Sequence, residues 1–214
     1  MTSIQDGRPL KVALFGDSAK PGDELYELAR DLAAEAVEVD VFSLRRDDER
    51  AFEAADGFRI HRSGAMQLER PWRLQSGVAP KLPPQAYAEL RANRPDVIHA
   101  YGTSFAALVA GGVARLLKRP LITTVRPPVE EADALAKRLP AIAYEKSLAR
   151  ALVRGSDRVI CRGLDATANA ERLGARPEAT TVLPADASVH VVLGVYVDAL
   201  AERELRWFLQ EQVA

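Results

Sequence analysis

The chain is poor in several features that would narrow its chemistry at once. Cysteine occurs a single time, at Cys161, so no intramolecular disulfide can form, and the cytoplasm is the expected compartment. Three histidines are too few for a His-rich metal centre, and 6% aromatic residues are too few for a base-stacking surface. Charge of one sign is missing as well. With 29 Lys and Arg against 30 Asp and Glu, the net charge of −1 provides no field to draw in nucleic acid or an anionic membrane. No apolar run approaches the roughly 20 residues of a membrane span, and no charged-then-apolar leader is present. The Gly-x-Gly-x-x-Gly fingerprint, the Walker loop with its Lys, the Ser nucleophile elbow and His-Glu-x-x-His are all absent. The reading therefore includes no metal and no cofactor.

What remains is a soluble globular composition, 48% hydrophobic over 214 residues, enough for one domain with or without a small appendage. Leu10 to Gly16 is a short apolar run, and Pro21-Gly22-Asp23 leads into Glu24 to Ala36, where Leu25, Leu28, Ala29 and Leu32 recur at helical spacing. Val37 to Leu44 alternates apolar and polar residues, which completes a βαβ unit. Phe58 to His61 reads as a third short strand after the charged stretch Arg45 to Arg50. Ser63 to Pro84 has no period and reads as a long loop or broken helix carrying Trp72.

From Pro95 the alternation strengthens. Asp96 to Ala100 is a strand, Phe105 to Lys118 a helix with almost no polar face, and Pro120 to Val125 a strand. Glu130 to Arg154 is mostly helical with an interruption at Pro140. Asp157 to Cys161 is a strand, Asp165 to Leu173 a helix ended by Gly174, and Thr180 to Leu183 the last clear strand. Val189 to Val195 alternates weakly and is read either as a strand or as the approach to a terminal helix from about Val195. That helix would carry a stripe of Leu193, Val197, Leu200, Leu205, Phe208 and Leu209. The expected fold is α/β, a single Rossmann-like, doubly wound parallel sheet with helices on both faces, and a C-terminal amphipathic helix packed on it. Residues 1–185 would form the Rossmann-like unit and 186–214 the tail and helix.

Ligands of open parallel sheets bind beyond the carboxyl ends of the strands, which selects four loops on one rim. Gly16 and Gly22 lie in the first, where a missing side chain lets a ligand approach the backbone. Gly102, Thr103 and Ser104 lie in the second, at a helix start suited either to an anion or to ordinary capping. Arg126 and Arg162 end two strands, placed either to grip a carboxylate or phosphate or to pair with Glu130 or Asp165. His99, inside a strand, reads as a buried structural residue, while Asp17 and Asp23 read as caps before they read as acids or bases.

Several of these stretches together resemble a known family. Lys11 to Gly16, Pro21-Gly22-Asp23-Glu24, Val37 to Phe42, Pro95 to Pro127 (PDVIHAYGTSFAALVAGGVARLLKRPLITTVRP) and Ala143 to Cys161 are similar to the N-terminal domain of family-four retaining glycosyltransferases of the GT-B fold. The resemblance covers about residues 10 to 185. It implies nucleotide-sugar-dependent transfer to an acceptor, with this half on the acceptor side and a second Rossmann-like domain holding the donor. The chain departs from the pattern. Asp23 stands where the family has the second Gly of a pair, Arg126-Pro127-Pro128 replaces a His-Gly, Arg162-Gly163-Leu164 replaces a Ser-containing turn, and Pro184-Ala185-Asp186 replaces Pro-Asn-Gly-Val-Asp.

The resemblance therefore implies a lone acceptor-type domain, incomplete or inactive without a donor domain, with a sugar acceptor or nucleotide sugar as ligand and a donor-domain partner or a second copy as partner. Two other readings stay open. One is a non-catalytic binding or scaffolding module that contacts proteins through Trp72, Trp207 or Phe208. The other is a different small enzyme using Asp17, Asp23, His99 or Arg126 on the same sheet.

Overall fold

A computed structural model describes residues 8–45, 49–67, 78–80, 84–127, 139–184 and 186–211. Its strands are β1 (Lys11–Phe15), β2 (Glu38–Arg45), β3 (Phe52–Ala55), β4 (Phe58–Gln67), β5 (Val78–Pro80), β6 (Val97–Tyr101), β7 (Leu121–Val125), β8 (Arg158–Arg162) and β9 (Thr180–Leu183). Its helices are α1 (Glu24–Ala34), α2 (Pro84–Asn93), α3 (Phe105–Leu117), α4 (Leu139–Arg154), α5 (Leu164–Leu173) and α6 (Val189–Glu211). The sheet runs β3-β4-β2-β1-β6-β7-β8-β9, with β5 added on β4. All neighbours from β4 to β9 in that order are parallel, while β3 and β5 pair antiparallel with β4. The α/β doubly wound architecture expected from the sequence is thus present, with an antiparallel edge added.

The central strands are buried on both faces, which is why their sequences read as continuous apolar runs. Side chains alternate between the faces. Val97 and Tyr101 enter one core with Leu25, Leu28 and Leu32 of α1 and Val192, Leu193 and Tyr196 of α6, while Ile98 and Ala100 enter another with Ala107, Ala110 and Val113 of α3. A third core gathers Val125, Val159 and Cys161 against α4 and α5. Two aspartates ahead of strands fix the parallel order. Asp96 accepts from the Lys11 backbone N–H (3.0 Å), and Asp157 accepts from that of Leu121 (2.9 Å).

Several boundaries differ from the sequence reading. The charged stretch is followed by β3, which turns into β4 at Asp56-Gly57. Both residues have positive φ (47° and 85°), the combination of a type I′ hairpin turn. The strand read as Phe58 to His61 continues to Gln67, and the stretch read as a loop or broken helix ends in β5 and the start of α2. Trp72 lies outside the described residues. Pro140 does not interrupt a helix. It falls in the first turn of α4, where its missing N–H has no intrahelical partner to lose, and residues 130–138 lie outside the described residues.

The terminal helix starts at Val189, six residues before Val195, so the alternative of a strand over Val189 to Val195 is overturned. Its buried side is Val192, Leu193, Val195, Tyr196 and Ala199, whereas Val197, Leu205, Phe208 and Leu209 of the expected stripe are exposed. The alternation that imitates a strand there is the edge of a helical stripe one step removed.

The α6 helix is also fastened by polar groups. His99, 1% exposed, lies 2.6 Å through Nδ1 from the Tyr196 hydroxyl and 2.8 Å through Nε2 from Thr124 Oγ1. Burial, with a smaller contribution from the Arg162 charge, pushes the His99 pKa down to about 3, so the ring is neutral and bridges the two hydroxyls as donor to one and acceptor from the other. Further along, Arg203 (3.4 Å) and Arg206 (3.0 Å) of α6 pair with Asp157, and Glu202 pairs with Arg158.

Replacing Tyr196→Phe leaves a buried ring nitrogen unpaired and is expected to cost about 1–3 kcal/mol, read from urea unfolding. An unchanged midpoint would mean that α6 is held by apolar contact alone. The depressed His99 pKa also has a sign. The unfolded ring takes up its proton near pH 6.5 and the folded one only near 3, so stability falls as the pH is lowered through that window. In a His99→Gln variant the unfolding free energy should be flatter between those two pH values than in the parent.

Candidate functional site

Because β1, β2, β4, β6, β7, β8 and β9 run parallel, their carboxyl ends share one rim. Gly16 follows β1 and is buried because the chain there passes close to β6. A Cβ on it would stand 2.7 Å from Leu25 Cδ2 and 3.5 Å from the Tyr101 carbonyl oxygen. Gly102 follows β6 and has φ +98°, a conformation that L side chains rarely adopt, and its N–H donates to the Thr124 carbonyl (2.9 Å). These two glycines shape the rim through different demands, one of space and one of dihedral angle.

Beside them stands a compact polar group. The Glu24 carboxylate, at the first position of α1, accepts at Oε2 from the Tyr101 hydroxyl (3.1 Å) and pairs through the same oxygen with Arg126 Nη2 (3.1 Å). The Arg126 guanidinium lies 4.8 Å from the Tyr101 ring centroid, stacked as a cation on its face. The Arg126 carbonyl accepts from Asn169 Nδ2 of α5 (2.8 Å), which anchors the end of β7 to the helix after β8. Arg162, half-buried at the end of β8, projects its charge onto Tyr101, His99 and Tyr196. Burial and the Glu24 charge raise the Tyr101 pKa against the opposing pull of both arginines, so its phenol stays protonated and donates. A half-exposed Arg126 guanidinium and the charge of the half-buried Arg162 thus converge on a buried phenol at one edge, with the exposed Leu164 two residues beyond Arg162 at the start of α5.

The sequence-derived residues divide on this geometry. Gly16, Gly102, Arg126 and Arg162 border the Tyr101 cluster. Ser104 is the N-cap of α3, its Oγ accepting from the Ala107 N–H at a long 3.5 Å, with Thr103 half-buried before it. Gly22 is exposed in the turn from Lys20 to Asp23, and its N–H donates to Glu27 Oε1. Asp23 stands at the N-cap of α1, but its carboxylate makes no cap bond. It accepts from the Ser18 hydroxyl (2.7 Å) and the Lys20 N–H (3.0 Å) and closes the loop.

The partner of Arg126 is Glu24, not Asp165, and Glu130 lies outside the described residues. Reasoning from sequence missed Glu24 and Tyr101. It also missed the partners of His61 and His190, Asp40 (3.1 Å) and Glu35 (3.7 Å). Among the described residues no group of three or more His, Cys, Asp or Glu side chains could hold a metal ion, and no helix is long and apolar enough to cross a membrane.

Residues 25–185 match the family model for Glycosyltransferase Family 4. Three solved structures are similar in fold. A sucrose-phosphate synthase piece from Thermosynechococcus elongatus, designated 27_220_406_426, is 16% identical with a TM-score of 0.58, over 97% of this chain and 100% of that one. The sucrose-phosphate synthase from the same organism is 18% identical with a TM-score of 0.58, over 82% of this chain and 48% of that one. Anabaena HepE, in complex with UDP and glucose, is 19% identical with a TM-score of 0.50, over 82% of this chain and 44% of that one. The chain spans about half the length of the last two. No curated protein matches it.

The dihedral demand at Gly102 separates from steric demand by comparison with Gly112 in α3. An added Cβ meets nothing within 4 Å at either position, but only Gly102 has positive φ. Gly102→Ala is expected to destabilise by about 1–3 kcal/mol and Gly112→Ala to stabilise by about 0.5–1 kcal/mol, both from denaturant midpoints. Equal effects would refute the dihedral explanation.

Proposed function

The chain belongs to Glycosyltransferase Family 4, and on that premise we propose that its 214 residues act as the acceptor-side half of a glycosyl-transfer site. In this reading residues 1–185 are the Rossmann-like unit and 186–214 the segment that closes it. The full coverage of the sucrose-phosphate synthase piece designated 27_220_406_426 supports that division, since a long first stretch and a short last one suit a sheet covered by a terminal helix. The rim residues Gly16, Gly22, Gly102, Thr103, Ser104, Arg126 and Arg162 form the ligand edge, facing a donor-binding unit outside these residues, on a partner protein or a second copy. The ligand class is a nucleotide sugar or its acceptor, which the UDP and glucose bound to HepE support.

The observation that carries the reading is the Glu24–Tyr101–Arg126–Arg162 cluster. It sets two guanidinium groups beside close-approach glycines at the strand ends, where α/β sheets take their ligands. Retaining transfer also needs cationic groups around the departing diphosphate. With Glu24 already matched to Arg126, this half supplies few of them, so we propose that it is inactive until the donor unit joins it. We place it in the cytoplasm, consistent with its single cysteine. A non-catalytic scaffolding role is the second reading, favoured by Leu205 and, one turn on, Phe208 and Leu209, which stand exposed on α6.

The test is thermal unfolding of the purified chain with UDP-, GDP- and ADP-sugars, free nucleotides and sugar phosphates. Ligand at 100 times its Kd adds about 2.7 kcal/mol of stability, so one nucleotide class should raise the midpoint. Arg126→Ala should weaken that ligand about tenfold, the loss of one charge-assisted contact. The change should barely move the midpoint of the free protein, because the Glu24 pair is half exposed. A flat screen, or a shift indifferent to Arg126→Ala, overturns the rim as the ligand edge and favours the scaffold.

A further inference from the structure

A cavity of about 320 Å3 opens beside the loop between β1 and α1, lined by Lys20 of that loop, Glu49 and Arg50 ahead of β3, Glu53 of β3 and Arg62 of β4. All five are charged, and none belongs to the Tyr101 cluster. Arg62 is only 5% exposed. Its Nη1 donates to Glu53 Oε2 (2.6 Å) and to the Arg50 carbonyl (3.4 Å), and its Nη2 donates to the Ala19 carbonyl (2.9 Å). The buried Nε has no hydrogen-bond partner among the described residues, because Glu49 Oε2, at 3.8 Å, is too distant to accept.

Cations outnumber carboxylates around this space by three to two. Glu49 is divided between two of them, with Oε1 on Lys20 Nζ (3.1 Å) and Oε2 toward Arg62 Nε, and Glu53 is committed to Arg62. That leaves the exposed Arg50 guanidinium, which has no carboxylate against it among the described residues. Donors are in surplus as well, because ammonium and guanidinium groups carry no acceptor, and the Arg50 side chain and the Arg62 Nε–H are unmatched.

A ligand that answers both surpluses is negative and rich in acceptors. A cation would meet three like charges, and a neutral polyol would leave the charge surplus standing. Small-molecule sites run from about 300 to 1,000 Å3, so this space suits one anionic group on a small body and not a nucleotide. We propose that the Lys20–Arg50–Arg62 cavity binds a small oxyanion, a carboxylate or phosphate group held by Lys20 and Arg50 beside the buried Arg62. Arg50 offers a planar fork of donors and Lys20 a point charge, the two cationic forms that oxyanions accept from. As Lys20 turns to the anion, Glu49 is released to close the 3.8 Å gap to Arg62 Nε, and the buried donor gains its partner in the bound state. Glu53, with its side chain 41% exposed, is the opposing charge that limits affinity. The site stands on charge and geometry and does not depend on the glycosyl-transfer reading.

The experiment is proton–nitrogen correlation NMR of the full chain, titrated with sodium phosphate and separately with sodium acetate at an ionic strength held constant with sodium chloride. It is repeated on Lys20→Gln, Arg50→Gln and Glu53→Gln. At least one anion should move the Lys20 and Arg50 amides and the Arg62 Nε–H resonance to saturation, and the tighter of the two tells a phosphate source from a carboxylate one. Lys20→Gln and Arg50→Gln should each weaken binding about fivefold or more. Glu53→Gln keeps an acceptor for Arg62 but removes the opposing charge, so it should tighten binding about twofold. No saturable movement beyond the chloride control, shifts confined to Gly102 and Arg126 on the rim, affinity indifferent to both cation variants, or looser binding in Glu53→Gln overturns the proposal. Unchanged unfolding midpoints qualify the variants, and Lys20→Gln and Arg50→Gln decide independently if one of them fails to fold. Oxyanion binding at the cavity beside a flat nucleotide-sugar screen sustains the site and removes the transfer reading, so the two fail separately.

Discussion

The bridge from Tyr196 through His99 to Thr124 is the interaction on which the rest of the structure depends. Without α6, the face of β1, β2 and β6 that carries Val12, Leu14, Val39, Val41 and Val97 would be covered by α1 alone. Apolar burial draws α6 onto that face, but being non-directional it sets the register less sharply than a buried polar bond does. A buried imidazole with both nitrogens matched chooses it, since any other register strands a polar group in the core. The Asp157 pairs with Arg203 and Arg206 then fix the far half.

The rim follows from the same arrangement. Tyr101 is two residues beyond His99 on the same strand face, so the strand that receives α6 also presents the phenol on which Arg126 stacks. Glu24 reaches Tyr101 because α1 starts where the β1–α1 loop, closed by Asp23 on Ser18 and Lys20, delivers it. That loop is a divide. On one side Glu24, at its end, pairs with Arg126, and on the other Lys20 pairs with Glu49 while the Ala19 carbonyl accepts from Arg62.

Much of this was legible in the sequence, and the boundary is physical. The strands β1, β6, β7 and β8 announce themselves because doubly buried parallel strands are short apolar runs, β2 because of its apolar–polar alternation, and α1, α3 and α5 because of their periodicity and caps. The β3–β4 hairpin is written in Asp56-Gly57, but the strand before it, Phe52–Ala55, is short, half exposed and follows a charged stretch, so it has no apolar run of its own. The start of α6 was misplaced because Val189, Val191, Val195 and Val197 are spaced like a strand, and only tertiary contact reveals that the buried side is Val192, Leu193, Tyr196 and Ala199. At the site, glycines and strand-end arginines could be found by position along the sheet. Glu24 and Tyr101 could not, because the two partners are 77 residues apart and no local pattern joins them.

Residues 186–211 are, on this account, an integral layer of one folding unit that holds the rim in place. Native-state hydrogen exchange tests this most directly, since each amide reports the free energy of the opening that exposes it. The account predicts that the amides of Val195, Tyr196 and Ala199 open with the same free energy as those of Ile98, His99 and Ala100, in a single global event. Exchange of the α6 amides through a separate, lower-energy opening, with β6 still protected, would contradict it.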